Sequence, residues 1–443
     1  MTDDRQKGRA IPRGRLSRLG AFGRLAGGVA GNVVGEGARR LAAGQRPRLS
    51  DLMLTPANAG RVADELAGLR GAAMKLGQMV SMDAGDVLPP ELTAILARLR
   101  DQAHHMPPRQ LDQVLVREWG KDWRGRFTHF QAHPIAAASI GQVHRAELPD
   151  GRVLAIKVQY PGVADSIGSD VDNVATLLRL SGLLPRDLPI ADLLAEAKAQ
   201  LHEEADYHRE AAMLARFRAL VGHDPGFVVP APEPDLSTGH ILAMEYVDGR
   251  PIDALEAEPQ DVRDAVIERL IALVLRELFD WRLMQTDPNF ANYRWRANDG
   301  RLVLLDFGAA RPVAEDTARG YHRLLMAGLD GDAARVRQAA IDVGFIGRTA
   351  ADRHGSAIDA MIAIILDNLG REGPFDFGDR SFVGTVREQG MAIAADRASW
   401  HLPPADTLFA QRKISGTALL AARMKARVNV RALVERYRDW SGS

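Results

Sequence analysis

The sequence predicts an α+β fold in two lobes, preceded by a helical extension. Three observations predict it: helix-period apolar spacing over 50–120, strand-like runs from about 127 to 158, and mostly helical patterning from Gly249 to the end of the 443 residues. The expected divisions are a basic, glycine-rich leader at 1–49, a helical extension at 50–122, a β-rich lobe at 123–247 and a helical lobe at 248–443. With 46% apolar residues the chain can bury a large core.

In the extension, Leu66, Leu69, Ala73, Leu76 and Met79 share one helix face. Pro89-Pro90 and Pro107-Pro108 start further helices, because proline suits a first helical turn. Pro149-Asp150-Gly151 turns one strand into the next. The run LLAEAKAQLHEEADYHREAAMLARF predicts one long amphipathic helix over 190–220, followed by strands near 226–230 and 239–247 and a hairpin near 292–306.

Charge and composition exclude several classes. Fifty-seven Lys+Arg balance fifty-seven Asp+Glu, which is not the profile of a globally basic nucleic-acid binder. With no cysteine there is no disulfide, thiolate metal site or thiol nucleophile. No apolar run reaches the about 18 residues of a membrane span, and no secretory signal is evident, so a cytoplasmic, peripherally membrane-associated protein is expected. Both ends are basic: eleven Arg/Lys stand against three acids in 1–50, and Arg412, Lys413, Arg423, Lys425, Arg427, Arg431, Arg436 and Arg438 against Glu435 and Asp439 in 411–439. Such ends suit an anionic phospholipid surface. Gly23, Gly27, Gly31 and Gly35 recur every four residues and would permit close helix packing, as in a homodimer.

Five elements in order point to a nucleotide site. AAASIGQV at 136–143 lies between strand-like runs where protein kinases carry G-x-G-x-x-G-x-V over the ATP phosphates; Ala136, Ala138 and Gly141 fall on the glycine positions, Val143 on the valine, and Ala137 and Ser139 lie between. VLAIKVQ sets Lys157 in an apolar strand, matching the phosphate-binding V-A-I-K lysine, with Glu204, Asp206 and Glu210 as candidate partners. ILAMEYVDG at 241–249 resembles a kinase hinge, with Met244 behind the adenine and Glu245, Tyr246 and Val247 offering backbone groups. In TDPNFAN, Asp287 and Asn292 have the D-x-x-x-x-N spacing of a catalytic base and a Mg²⁺ ligand, and LVLLDFG delivers Asp306 as the second ligand. A second DFG at 376–378 follows no apolar strand and reads as a decoy.

Together these residues resemble the ABC1/ADCK/UbiB family of atypical kinases, and within it the Coq8-type proteins linked to ubiquinone (coenzyme Q) biosynthesis. The resemblance spans about 50–440 and is carried by AAMKLGQMVSMD at 72–83, AAASIGQVH at 136–144, EADYHREA at 204–211, MQTDPNFAN at 284–292, LLDFGAAR at 304–311 and PFDFG at 374–378. It implies a bilobal protein-kinase-like fold with ATP between the lobes, and a KxGQ helix bearing Lys75, Gly77 and Gln78 over the active site. By the same resemblance Glu204 and Asp206 hold that helix while Glu210 pairs with Lys157. Gln285, Thr286 and Asn289 replace the histidine, arginine and lysine of an ordinary kinase catalytic loop, and no A-P-E segment follows the first DFG. The resemblance therefore implies an ATPase, or a small-molecule or lipid kinase, supporting ubiquinone-synthesis enzymes or handling their lipid precursors at a membrane. Alternatives are a pseudokinase scaffold, an aminoglycoside- or choline-type kinase, and a lipid-extracting binding protein.

Overall fold

A computed structural model describes residues 105–180 and 190–442, apart from Pro288, Glu372, Trp400 and Leu402, together with Arg39. The leader glycines, the helices expected over 50–104 and Lys75, Gly77 and Gln78 lie outside the described residues. Two compact units are present: one comprises residues up to Ala215 and Ala231–Tyr246, the other Arg216–Pro230 and Val247–Ser443.

The first unit begins with α1 (Pro108–Trp119), which has proline at its start as the sequence predicts. The strands β1 (His129–Phe130), β2 (Ala136–Ala137), β3 (Gly141–Glu147) and β4 (Val153–Gln159) follow. Gly151 closes the β3–β4 hairpin at φ 85°, a left-handed conformation that favours glycine. Three helices come next: α2 (Val163–Leu180), α3 (Ile190–Glu204) and α4 (Tyr207–Val221). After β5 (Phe227–Val228), which belongs to the second unit, β6 (Ile241–Glu245) pairs with β4 to give the antiparallel order β1-β3-β4-β6 of the first, with β2 paired to β3. One face of this sheet packs against α1 through Leu111, Val114 and Leu115, with Trp119, Trp123, Phe127 and Phe130 in mutual ring contact. Helix α2 has no counterpart in the sequence reading.

The second unit holds β7 (Arg250–Pro251), α5 (Gln260–Leu275), β8 (Leu283–Gln285), β9 (Tyr293–Arg296), β10 (Arg301–Leu304) and β11 (Ala310–Pro312). The β9–β10 pair is the hairpin predicted near 292–306, and it extends into a sheet of order β5-β10-β9-β7. Beyond β11 the chain is mainly helical: α6 (Glu315–Leu329), α7 (Ala333–Asp342), α8 (Arg348–Arg353), α9 (Gly355–Leu369), β12 (Phe375–Asp376), α10 (Ser381–Ala395), α11 (Ala405–Arg423), β13 (Arg427–Val428) and α12 (Val430–Glu435). The mixed architecture is the α+β, bilobal kinase-like class that the sequence predicts.

The expected single helix over 190–220 is two helices, and the reason is local. In an unbroken helix the Ala205 carbonyl would accept the Arg209 amide. Instead Gln159 Nε2 on β4 donates to that carbonyl at 2.6 Å, and the Asp206 carboxylate accepts the Arg209 amide at 3.0 Å. Asp206 thus acts as the N-cap of α4. The sequence shows helical periodicity on both sides of the break but not the glutamine, far away in sequence, that takes the carbonyl.

Gln142 and His144 lie on one face of β3 and tether the chain entering α1. The Met106 amide donates to Gln142 Oε1 at 2.7 Å, Gln142 Nε2 lies 2.9 Å from His144 Nε2, and His144 Nδ1 lies 2.8 Å from the Gln131 carbonyl. This chain of bonds needs a neutral ring, with Nδ1–H donating to Gln131 and Nε2 accepting from Gln142. Burial, aided by His133 and His105, lowers the His144 pKa to about 4, against the pull of its bond to Gln131. The folded value lies below the unfolded one, so this contribution to stability is present above about pH 6.5 and is lost as pH falls toward 4; it amounts to about 3 kcal/mol. Thermal unfolding of His144→Gln should accordingly show a shallower loss of stability between pH 6.5 and 4 than the parent chain; equal slopes would remove His144 as the cause.

Candidate active site

Lys157 stands in β4 opposite Val143 of β3 and Leu242 of β6. An ammonium among Val, Leu and Ile side chains is costly unless a carboxylate meets it. Glu210 does so: Lys157 Nζ lies 2.7 Å from Oε1 and 2.9 Å from Oε2, with both side chains buried. The Tyr207 ring, one turn earlier on α4, lies 5.2 Å from the same ammonium. Of the three acids considered for Lys157, the structure thus brings Glu210 to it. Glu204 instead accepts from Ser139 Oγ at 2.9 Å, and exposed Asp206 caps α4. Gln159, Ser139, Glu204 and Glu210 therefore tie β4 and the alanine-rich loop to the α3–α4 junction.

That loop is built by backbone bonds. Ala136 and Ala137 pair with Val143 and Gln142, and the Ala138 amide donates to the Gly141 carbonyl at 2.9 Å, so the loop is a tight turn from β2 into β3. A Cβ on Gly141 would lie 2.5 Å from the Val158 carbonyl oxygen and 3.0 Å from the Tyr207 hydroxyl. The last glycine of the motif is therefore required by packing of the sheet and α4. Ala136 and Ala137 are exposed. At the end of β6, the Glu245 amide donates to the Ala231 carbonyl at 2.8 Å and the Tyr246 amide to the Val153 carbonyl at 2.9 Å, so two hinge-like amides are already engaged. Met244 is buried.

In the second unit, Asp287 and Asn292 lie in the loop joining β8 to β9. The Asn289 amide donates to Asp287 Oδ1 at 3.1 Å, and Asn292 Nδ2 donates to the Asp287 carbonyl at 3.4 Å. This loop is bonded to the segment carrying Asp306 at both ends: Thr286 Oγ1 donates to the Ala309 carbonyl at 2.7 Å, and the Leu305 amide donates to the Asn292 carbonyl at 3.0 Å. Asp306 Oδ1 accepts the Gly308 amide at 3.0 Å, shaping the DFG turn. Asn292 and Asp306 line one small cavity. A carboxylate and an amide oxygen are hard donors that suit Mg²⁺ when phosphate and water complete its shell. Among the described residues no group of three His, Asp or Glu side chains could hold a metal alone.

Sequence reasoning missed a charged cluster lining that cavity. Lys413 on α11 is almost fully buried, with Nζ 2.8 Å from the Tyr293 hydroxyl, 3.1 Å from Gln285 Oε1 and 3.3 Å from Glu277 Oε2. Glu277 sits in a π-helical turn, Arg276–Asp280, that follows α5. Burial pushes the Glu277 carboxyl up; burial also opposes the charge of Lys413, but Glu277 and Tyr293 hold its pKa above the ordinary lysine value. The available signal was Glu277 among the apolar residues of VLRELF and a lysine amid the apolar positions of α11.

The basic C-terminal stretch is only partly available to an anionic surface. Arg412 and Lys413 are buried, Arg423 pairs with Asp253 and Glu256, Arg427 with Asp376, and Arg438 with Asp330 and Glu435. Part of this run of like charge becomes ion pairs because its acids come from distant segments, while Lys425, Arg431 and Arg436 are exposed. The Arg427–Asp376 pair also accounts for the second DFG: Phe375–Asp376 forms β12, paired with β13.

These features define a kinase-like chain. An ABC1 atypical kinase-like domain matches residues 98–340, and the chain belongs to that family. It is 37% identical over 428 residues to the atypical kinase COQ8, mitochondrial, of Saccharomyces cerevisiae, covering 96% of this chain and 85% of that one. To the atypical kinase COQ8B, mitochondrial, of Rattus norvegicus it is 38% identical over 434 residues, covering 98% and 82%. Among solved structures, Rv3197 of Mycobacterium tuberculosis, determined as a complex with erythromycin, is similar with a TM-score of 0.60 and 25% identity over 84% of this chain and 93% of that one. This is an atypical kinase-like enzyme of the Coq8 type. No helix among the described residues is long and apolar enough to cross a membrane.

Removing one member of a buried ion pair leaves the other charge stranded, at a cost of about 3–5 kcal/mol. Chemical denaturation should therefore show Glu210→Gln strongly destabilised, and Lys157→Met/Glu210→Leu restored to within about 1–2 kcal/mol of the parent. A double variant no more stable than Glu210→Gln would mean that the pair is not what the junction depends on.

Proposed function

We propose that the chain binds MgATP and hydrolyses it, or transfers its γ-phosphoryl group to a small molecule or lipid, in support of ubiquinone biosynthesis at a membrane surface. The observation that carries this reading is the bonding of the Asp287/Asn292 loop to the Asp306 segment. It supports the reading because it ties the loop bearing Asp287 to the segment bearing Asp306, and Asn292 and Asp306 line the same cavity of the second unit. Lys157, kept charged by Glu210, meets the phosphates together with the loop at Ala136, Ala137, Ala138, Ser139, Gly141 and Val143. The Glu245 carbonyl and the Val247 amide receive the adenine beside Met244 and Tyr246.

Asn292 and Asp306 hold Mg²⁺, which when bound neutralises phosphate charge. Asp287 orients the attacking water or hydroxyl and accepts its proton. Catalysis on this reading is positioning plus electrostatic stabilisation, since phosphoryl transfer asks little covalent help of a protein. The membrane role rests on the basic leader, with exposed Lys425, Arg431 and Arg436 as a smaller contribution from the C-terminal end, and the lipid-handling and partner-enzyme roles rest on the resemblance to Coq8-type proteins. Lys75, Gly77 and Gln78, held by Glu204 and Asp206, would restrict access of a protein substrate. A homodimer through Gly23, Gly27, Gly31 and Gly35 belongs to the same reading.

By calorimetry, Asp306→Asn should weaken MgATP binding about tenfold or more while leaving metal-free ATP binding unchanged; equal MgATP affinity would refute the ligand assignment. Asp287→Asn should keep MgATP affinity within about threefold but lower turnover about 10²–10³-fold. Undiminished turnover would remove Asp287 as the base, and normal support of ubiquinone synthesis in cells by that variant would favour a scaffold. Vesicles containing phosphatidylglycerol should bind the full chain and raise its turnover, with both effects lost on deletion of 1–49; vesicles that do neither would end the membrane proposal.

A further inference from the structure

The geometry points to Lys413 as a positioning residue that holds the Asp287/Asn292 loop from behind through both of its ends, an inference that rests on the MgATP reading above. The loop begins at Gln285 and ends at Tyr293. One ammonium reaches both: Nζ lies 3.1 Å from the Gln285 side-chain oxygen and 2.8 Å from the Tyr293 hydroxyl. Glu277 supplies the counter-charge at 3.3 Å and also faces the Gln285 amide, 3.5 Å from its Oε1. Tyr293 is covalently next to Asn292, and the cavity that Lys413, Glu277 and Gln285 line is also lined by Asn292 and Asp306.

The cluster is more than filler. A lysine and a glutamate buried this completely bring no assured gain in stability over apolar side chains of similar volume. What an apolar group cannot do is donate from a single point to two acceptors eight positions apart in the chain. Lys413 lies 128 and 120 residues beyond those acceptors, on α11, so the C-terminal helical region sets the shape of the loop carrying the base and the metal ligand. Gln285 stands where an ordinary kinase carries histidine, and Lys413 gives that substitution a role: the glutamine oxygen is one of the ammonium's acceptors.

The test uses the full chain. Lys413→Met/Glu277→Leu removes both charges while retaining volume, and Tyr293→Phe deletes one hydroxyl and leaves the ion pair in place. Hydrogen exchange in metal- and nucleotide-free protein should show faster exchange of amides in 286–293 for both variants, with midpoints of thermal unfolding within a few degrees of the parent. In calorimetry the Mg²⁺ concentration needed for half-maximal tightening of ATP binding should rise about tenfold for the double variant and about threefold for Tyr293→Phe, with metal-free ATP affinity unchanged. Unaltered exchange in 286–293 together with an unaltered Mg²⁺ requirement in Tyr293→Phe overturns the inference, whether or not the double variant folds. The parent and Asp306→Asn are run alongside: a parent chain with no Mg²⁺-dependent ATP binding refutes the MgATP reading itself, whereas a normal parent, a defective Asp306→Asn and a parent-like Tyr293→Phe refute only the role of Lys413.

Discussion

A lysine in the middle of an apolar strand stays charged at the cost of desolvation, and the first unit is arranged around meeting that cost. Glu210 meets Lys157 from α4, and for it to do so α4 must start at a defined place and angle. Gln159 and Asp206 fix that start by ending one helix and capping the next. Gly141 lets β3 and the Tyr207 hydroxyl come close enough for α4 to lie against the sheet. Ser139 and Glu204 then bring the alanine-rich turn to the same junction. Each contact is modest alone, but they converge on one short stretch of chain, so the ion pair and the helix break depend on each other.

The second unit solves a similar problem with a different device. Its loop carries Asp287 and Asn292 on a short span between two strands, with the base and the metal ligand five residues apart. Main-chain bonds join it in front to the Asp306 segment, and the buried Lys413 cluster holds it behind. Rigidity matters here because a misplaced carboxylate or amide oxygen loses most of its value to a transferring phosphoryl group.

Much of the fold was legible in the sequence where the signal was local. Strand periodicity, the Pro149-Asp150-Gly151 turn and Pro108 at a helix start all act through neighbouring residues, and β3, β4 and α1 appear where those signals place them. The motif residues could be listed in order because their spacing is itself the pattern. What could not be read was set by distant partners. Gln159 splits a helix 46 positions away, Lys413 reaches a loop more than a hundred residues upstream, and the C-terminal arginines find acids scattered from Asp253 to Glu435. Counting charges along a window treats each as solvated, and only the fold reveals which are spent.

The way the chain is shared between the two units has a practical corollary. It passes from one to the other three times, after Ala215, after Pro230 and after Tyr246. No single cleavage point yields two self-sufficient halves: a fragment ending at Ala215 would lack β6, leaving β4 with an unpaired edge and no neighbour on that side. Such a fragment would be prone to stick to its own kind, and recombining separately expressed pieces would require the missing strand to be supplied in trans.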